Sequence, residues 1–130
     1  MNPLEQWRGE HIRKVKEIIR ENHLTGEQIP EFFLYDNLRK RYPDFCPLFE
    51  KGELCHTGVE REKFCCLFCA CPFYEYQLWD EENKIFGGCR VNSRSGRRNE
   101  AGYWDCTDCI FVHNIDWVRA HPQYWENWGG

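Results

Sequence analysis

Cys66-Leu67-Phe68-Cys69-Ala70-Cys71 and Cys106-Thr107-Asp108-Cys109-Ile110-Phe111-Val112-His113 are the stretches that decide how this chain folds. Each contains a C-x-x-C step. Two thiolates at that spacing project from one turn toward one ion, while backbone N–H groups of the turn stabilise the sulfur charge. Cys109 and His113 are four residues apart, which on a helix places both on one face. Outward from these stretches the pool of candidate metal ligands grows to Cys46, Cys55, His56, Cys66, Cys69, Cys71, Cys89, Cys106, Cys109 and His113. That is more than one tetrahedral ion uses and is enough for two.

Composition points the same way. The 130 residues include nine Cys, six Trp, six Tyr and nine Phe, with 17 Lys and Arg against 21 Asp and Glu for a net charge of −4. Mean hydropathy is −0.75. A chain of this length buries roughly two thirds of its unfolded surface. Its apolar content, however, is rings and thiols more than Leu, Ile and Val, so something besides an aliphatic core pins the fold. No apolar run approaches the ~20 residues of a membrane span. Met1–Gly9 is polar and shows no signal peptide, so a cytoplasmic location is expected. There, lasting disulfides are rare, and an odd number of Cys argues against a complete internal set. H-E-x-x-H, phosphate-loop and dinucleotide fingerprints are absent, so no catalytic residue is assigned.

Spacing allows two partitions of the ligands. In one, Cys66 and Cys69 close on an ion with Cys106 and Cys109, leaving Cys55 or His56, Cys71, Cys89 and His113 for a second. In the other, Cys106, Cys109 and His113 stay together, and Cys66, Cys69, Cys71 and Cys89 make the other site. Mixed Cys and His donors make zinc, as two ions, the expected cofactor. The four thiolates of the second partition equally suit an iron–sulfur cluster, the alternative. Cys65 reads as a buried filler. Adjacent Cys55 and His56 diverge, so one is expected to bind and the other to brace it. Asp105 and Asp108 flank the second turn and are the residues that could assist a metal with an open position.

The rest of the chain divides into a helical extension, residues 1–44, and a cysteine-rich metal-binding domain, residues 45–130. Trp7, His11 or Ile12, Val15, Ile18 and Ile19 recur at helical spacing, predicting an amphipathic helix over 1–23. A second helix is predicted from Pro30 to Arg41, with Leu34 and Leu38 inward, closed by Tyr42-Pro43. Ile85–Cys89 reads as a short strand and turn, Val91–Gly102 as a mobile loop, and Ile110–Ala120 as a helix stopped before Pro122. Tyr124, Trp125 and Trp128 form an aromatic tail expected to meet a protein partner. Arg90, Arg94, Arg97 and Arg98 offer contact to an anion or to RNA, although the net negative charge weighs against general nucleic-acid binding. His11, His23 and His121 read as surface residues.

Phe64-Cys65-Cys66-Leu67-Phe68-Cys69-Ala70-Cys71-Pro72-Phe73-Tyr74, then Gly87-Gly88-Cys89, then Trp104-Asp105-Cys106 to His113, preceded by Cys55-His56, resemble the cysteine-rich small domain family. The likeness covers about Phe45 to His113. It implies a metal-stabilised, zinc-ribbon-like core; with the helices read on either side, the expectation is an α+β protein with N-terminal helices and a C-terminal helix. The expected role is that of a binding or accessory module, with a small metalloenzyme or iron–sulfur electron-transfer subunit as the alternative, for which the resemblance suggests an anaerobic or cobalamin-linked pathway. Metal removal is expected to unfold residues 45–113.

Overall fold

Asn2 starts the first helix, α1 (Pro3–Glu21), with a reciprocal cap. Its side chain accepts from the Glu5 amide at 2.9 Å, and Glu5 accepts from the Asn2 amide at 3.1 Å. Pro3 occupies the first turn, where no N–H is needed. Val15, Ile18 and Ile19 form the buried stripe of α1. Trp7, read from the spacing as part of that stripe, is 47 % exposed. The computed structural model describes residues 1–129.

The helix predicted from Pro30 to Arg41 is two helices, α2 (Gln28–Phe32) and α3 (Tyr35–Arg41). The break has a cause. Leu34 takes an extended conformation (φ −57°, ψ 140°) and bridges Cys65, so Phe33 and Tyr35 can bond the chain on the far side. The Cys66 amide donates to the Phe33 carbonyl at 2.8 Å, and the Tyr35 amide to the Phe64 carbonyl at 2.8 Å. On its other edge the same segment bridges Asn114, and the Cys65 amide donates to the His113 carbonyl at 2.7 Å. Residues 64–66 are thus an extended strip held from both sides.

The predicted helix over Ile110–Ala120 is likewise divided, into a tight 3₁₀ turn (Phe111–His113) and α4 (Ile115–Ala120). Asn114 between them is extended and caps α4, its side chain accepting from the Asp116 amide at 2.9 Å. Two minimal antiparallel ribbons complete the α+β architecture: β1 (Trp79–Asp80) with β2 (Ile85–Phe86), and β3 (Arg97–Arg98) with β4 (Trp104–Asp105). The segment read as a mobile loop therefore carries a paired strand. A parallel bridge between Phe86 and Tyr103 joins the ribbons. Gly102, at φ +96°, sits where a Cβ would collide with the Lys84 carbonyl, and its own carbonyl accepts from the Phe86 amide at 2.9 Å. Only glycine satisfies both conditions.

One buried cluster joins Val15, Ile18, Ile19, Ile29, Phe33, Tyr35 and Leu38 to Phe49, Phe64–Phe68, Val112, Ile115, Val118 and Trp125. The C-terminal aromatics belong to it or pack on it. Trp125 is buried and donates from Nε1 to the Val118 carbonyl at 2.8 Å, while Tyr124 and Trp128 meet Phe68 edge-on. Among the described residues no helix is long and apolar enough to cross a membrane.

Candidate metal centre

The 3₁₀ turn after Ile110 aims His113 inward, where it is 4 % exposed. Its ring stacks on Phe64 at 4.8 Å with the planes 11° apart. Nδ1 lies 3.0 Å from the Cys65 carbonyl. A carbonyl only accepts, so Nδ1 carries the proton and Nε2 keeps its lone pair. Burial, more than the neighbouring His56, lowers the His113 pKa to about 4, so the ring is neutral near pH 7.

His56 arrives from a loop of the other half of the sequence and is held in the same way. Its Nδ1 lies 2.6 Å from the Thr107 carbonyl, and its ring centroid is 4.7 Å from that of His113. A backbone carbonyl on one ring nitrogen, with the other free, is the arrangement that orients metal-bound histidines. Cys55 completes the group: the donor atoms of Cys55, His56 and His113 lie within 4.8 Å of one another. Both neighbours, Cys55 and His56, therefore converge, contrary to the expectation that one would turn away. Residues 55–59 form a run of backbone bends, where successive side chains need not alternate as they do along a strand.

Other thiols gather behind this triad. Cys55 lies in the field of Cys69 and Cys46; desolvation first, then those neighbours, push its thiol up to about 12. Cys66 and Cys69 interact directly: the hydrogen bond between them, followed by burial, raises Cys66, and the same bond lowers Cys69. Cys65 is fully buried, its thiol 3.5 Å from the Pro30 carbonyl, and it serves as the filler expected of it. Cys69 also faces a cavity of about 300 Å³ that has His56 and His113 on its wall. Cys71, Cys89, Cys106 and Cys109 line the same cavity. Neither partition drawn from spacing includes the triad as it stands.

Leu4 and Trp7 of α1 close one side of the cavity, Trp7 stacking on Tyr76 at 6.4 Å. The Asn2 side chain donates to the Tyr76 carbonyl at 2.9 Å, fixing the start of α1 there. This contribution was invisible in the sequence, where α1 lies far from every cysteine. His11, read as a surface residue, is wedged between Trp7 and Phe45, and its buried Nε2 has no partner. Of the four arginines, Arg90 lies 5.6 Å over Phe73 and bonds the Pro72 carbonyl, and Arg98 bonds the Gly102 carbonyl at 2.8 Å. Asp105 accepts from the Thr107 amide and hydroxyl, shaping the turn into Cys106.

No family model, curated protein or solved structure matches the chain. The likeness to the cysteine-rich small domain family stays one of motif order. What the structure shows is a cysteine-rich α+β protein with a potential three-donor Cys/His/His site.

Proposed function

We propose that this chain is a metal-binding accessory protein whose ion sits between Cys55 Sγ, His56 Nε2 and His113 Nε2 and acts chiefly on structure. The observation that carries it is a paired backbone contact: a carbonyl lies on Nδ1 of each ring, and one donor atom of each residue lies within 4.8 Å of those of the other two. One sulfur with two imidazoles suits zinc. In this reading Cys69, which lines the same cavity as the two rings, is the candidate fourth ligand. Such an ion ties the 53–60 loop to the turn ahead of α4 and so couples the two halves of the sequence.

The test is elemental analysis of purified full-length protein with melting curves. Zinc near one equivalent at this site, lost in His113→Gln and in Cys55→Ser with a lower Tm, supports the reading. Cys65→Ala keeps the metal. Full zinc content in both ligand variants would overturn it.

The cavity favours one other reading. If Cys69 stays off the ion, the fourth position opens toward Phe73, Tyr74 and Phe111, and the metal becomes an accessible Lewis acid for a small apolar substrate. A cobalt-substituted protein whose spectrum shifts on adding imidazole supports this reading; one that does not shift supports the closed, structural site. An RNA-binding role draws less support, because Arg90 and Arg98 are engaged within the chain.

A further inference from the structure

Four further thiols, outside the triad, share its cavity. Cys71 ends the loop that begins at Cys66, Cys89 follows β2, and Cys106 and Cys109 follow β4. The backbone brings these three segments together. Residues 73–75 run beside 88–90: the Glu75 amide donates to the Gly88 carbonyl at 2.8 Å, the Arg90 amide to the Phe73 carbonyl at 2.8 Å, and Tyr74 bridges Cys89. The Tyr74 hydroxyl donates to the Trp104 carbonyl at 2.9 Å, which draws β4 and the following turn onto the same ribbon. That turn is tight, the Cys109 amide donating to the Cys106 carbonyl at 2.9 Å.

The sulfurs are already provided with donors. The Phe73 amide points at Cys71 Sγ (3.4 Å) and the Ser93 amide at Cys89 Sγ (3.5 Å). Ser93 Oγ lies 3.4 Å from Cys109 Sγ, so this one serine spans two of the four thiols. All four line the wall of the 300 Å³ cavity. Amide hydrogens aimed at sulfur stabilise thiolates rather than thiols, and hydrogen bonds of this kind tune metal–thiolate centres.

We propose that Cys71, Cys89, Cys106 and Cys109 form a second, all-thiolate metal centre, for a soft metal bound as a single zinc ion or as a small iron–sulfur cluster. Binding replaces the thiol protons, which leave to solvent, so no oxidant or reductant is needed to load zinc; a cluster requires iron and sulfide. The grouping keeps the Cys106–Cys109 step whole and separates Cys71 from Cys69, two residues before it on the same cavity wall. Among the described residues only the triad's donors gather within 4.8 Å, so these four sulfurs stand wider than the ~3.8 Å that tetrahedral zinc thiolates adopt at Zn–S of about 2.3 Å. A single ion would draw them in; a cluster would occupy the wider ring.

The experiment is anaerobic purification of the full chain, followed by zinc, iron and acid-labile sulfide analysis and a visible spectrum. Cys89→Ala with Cys106→Ala is compared with His56→Gln with His113→Gln. The expected result is that the cysteine pair removes one centre and leaves the triad's metal, while the histidine pair does the reverse. Loss of zinc alone identifies an ion; loss of visible absorbance together with iron and sulfide identifies a cluster. Should the cysteine double variant fail to fold, cobalt titration of the unaltered chain decides. A filling step with thiolate-to-cobalt charge-transfer intensity of a four-sulfur site supports the proposal. A chain that takes one metal only, or keeps its full complement in the cysteine variant, overturns it. Loss in the cysteine variant with none in the histidine variant would leave this centre standing and remove the first.

Discussion

At the scale of single residues, His113 and His11 show what burial does to the same side chain in two settings. Each is pushed to about 4 by desolvation, but His113 has a carbonyl on one nitrogen, whereas His11 has a ring on either side and an unpartnered Nε2. The linkage for His11 has a definite sign. Its folded value lies below the ordinary 6.5, so the unfolded chain takes up a proton first as the pH falls. Its contribution is complete above about pH 6.5, declines from there to about 4, and is flat below. Discounted for partial exposure, the decline amounts to about 1–2 kcal/mol. His11→Phe should therefore be close to neutral at pH 7.5 and gain on the unaltered protein as the pH drops to 4.5. Melting curves across that range check it; parallel curves would contradict the buried neutral ring. The candidate ligands could be picked out, because C-x-x-C steps are local patterns, although His113 gathers with Cys55 and His56 and not with Cys109 four residues before it. The pairing could not be. Which thiols share a centre depends on Leu34 bridging Cys65 and Tyr74 bridging Cys89, contacts between distant segments that no spacing encodes.

At the scale of elements, the sequence announced helices and missed their interruptions. Leu34 lies in a strongly periodic run, yet it leaves the helix because the 64–66 strip needs a partner there. Asn114 was the more legible of the two breaks: an Asn two residues before an acidic residue is an N-cap signal, and the 3₁₀ turn ahead of it is what turns His113 inward. The ribbons have only two residues per strand, too short for alternation to register. They hold through a few backbone contacts, of which Gly102 is the most exacting. Gly102→Ala combines a strained positive φ with a collision against backbone and should cost about 3 kcal/mol. Gly9→Ala in α1, where an added Cβ meets nothing within 4 Å, should instead gain about 0.5–1 kcal/mol. Thermal or denaturant unfolding of the two variants side by side measures the contrast, and equal effects would sink the account of the ribbon junction.

At the scale of the whole molecule, the buried cluster and the proposed metal sites would divide the work. Aliphatic and aromatic side chains from all four helices meet around Phe33, Phe64 and Leu67. Residues 69–109 contain the short ribbons, most of the cavity wall and most of the thiols. Chelation should accordingly strip hydrogen-exchange protection from 69–109 while the buried face of α1 keeps much of its own. Uniform loss of protection would show instead that the metals hold the entire fold, and no loss would show that they hold none of it. With an ion bound as proposed, the triad would also act as a cross-link. Closing Cys55 onto His113 restrains a long loop of the unfolded chain, worth about 4 kcal/mol by the entropy of loop closure. The same span has a kinetic side. An unfolded chain offers nine thiols to an ion before His56 and His113 are near one another, and most of those early ligations are non-native. Zinc present from the start of refolding would trap such chains and slow recovery, whereas zinc added after the helical core has formed would find its donors already in place.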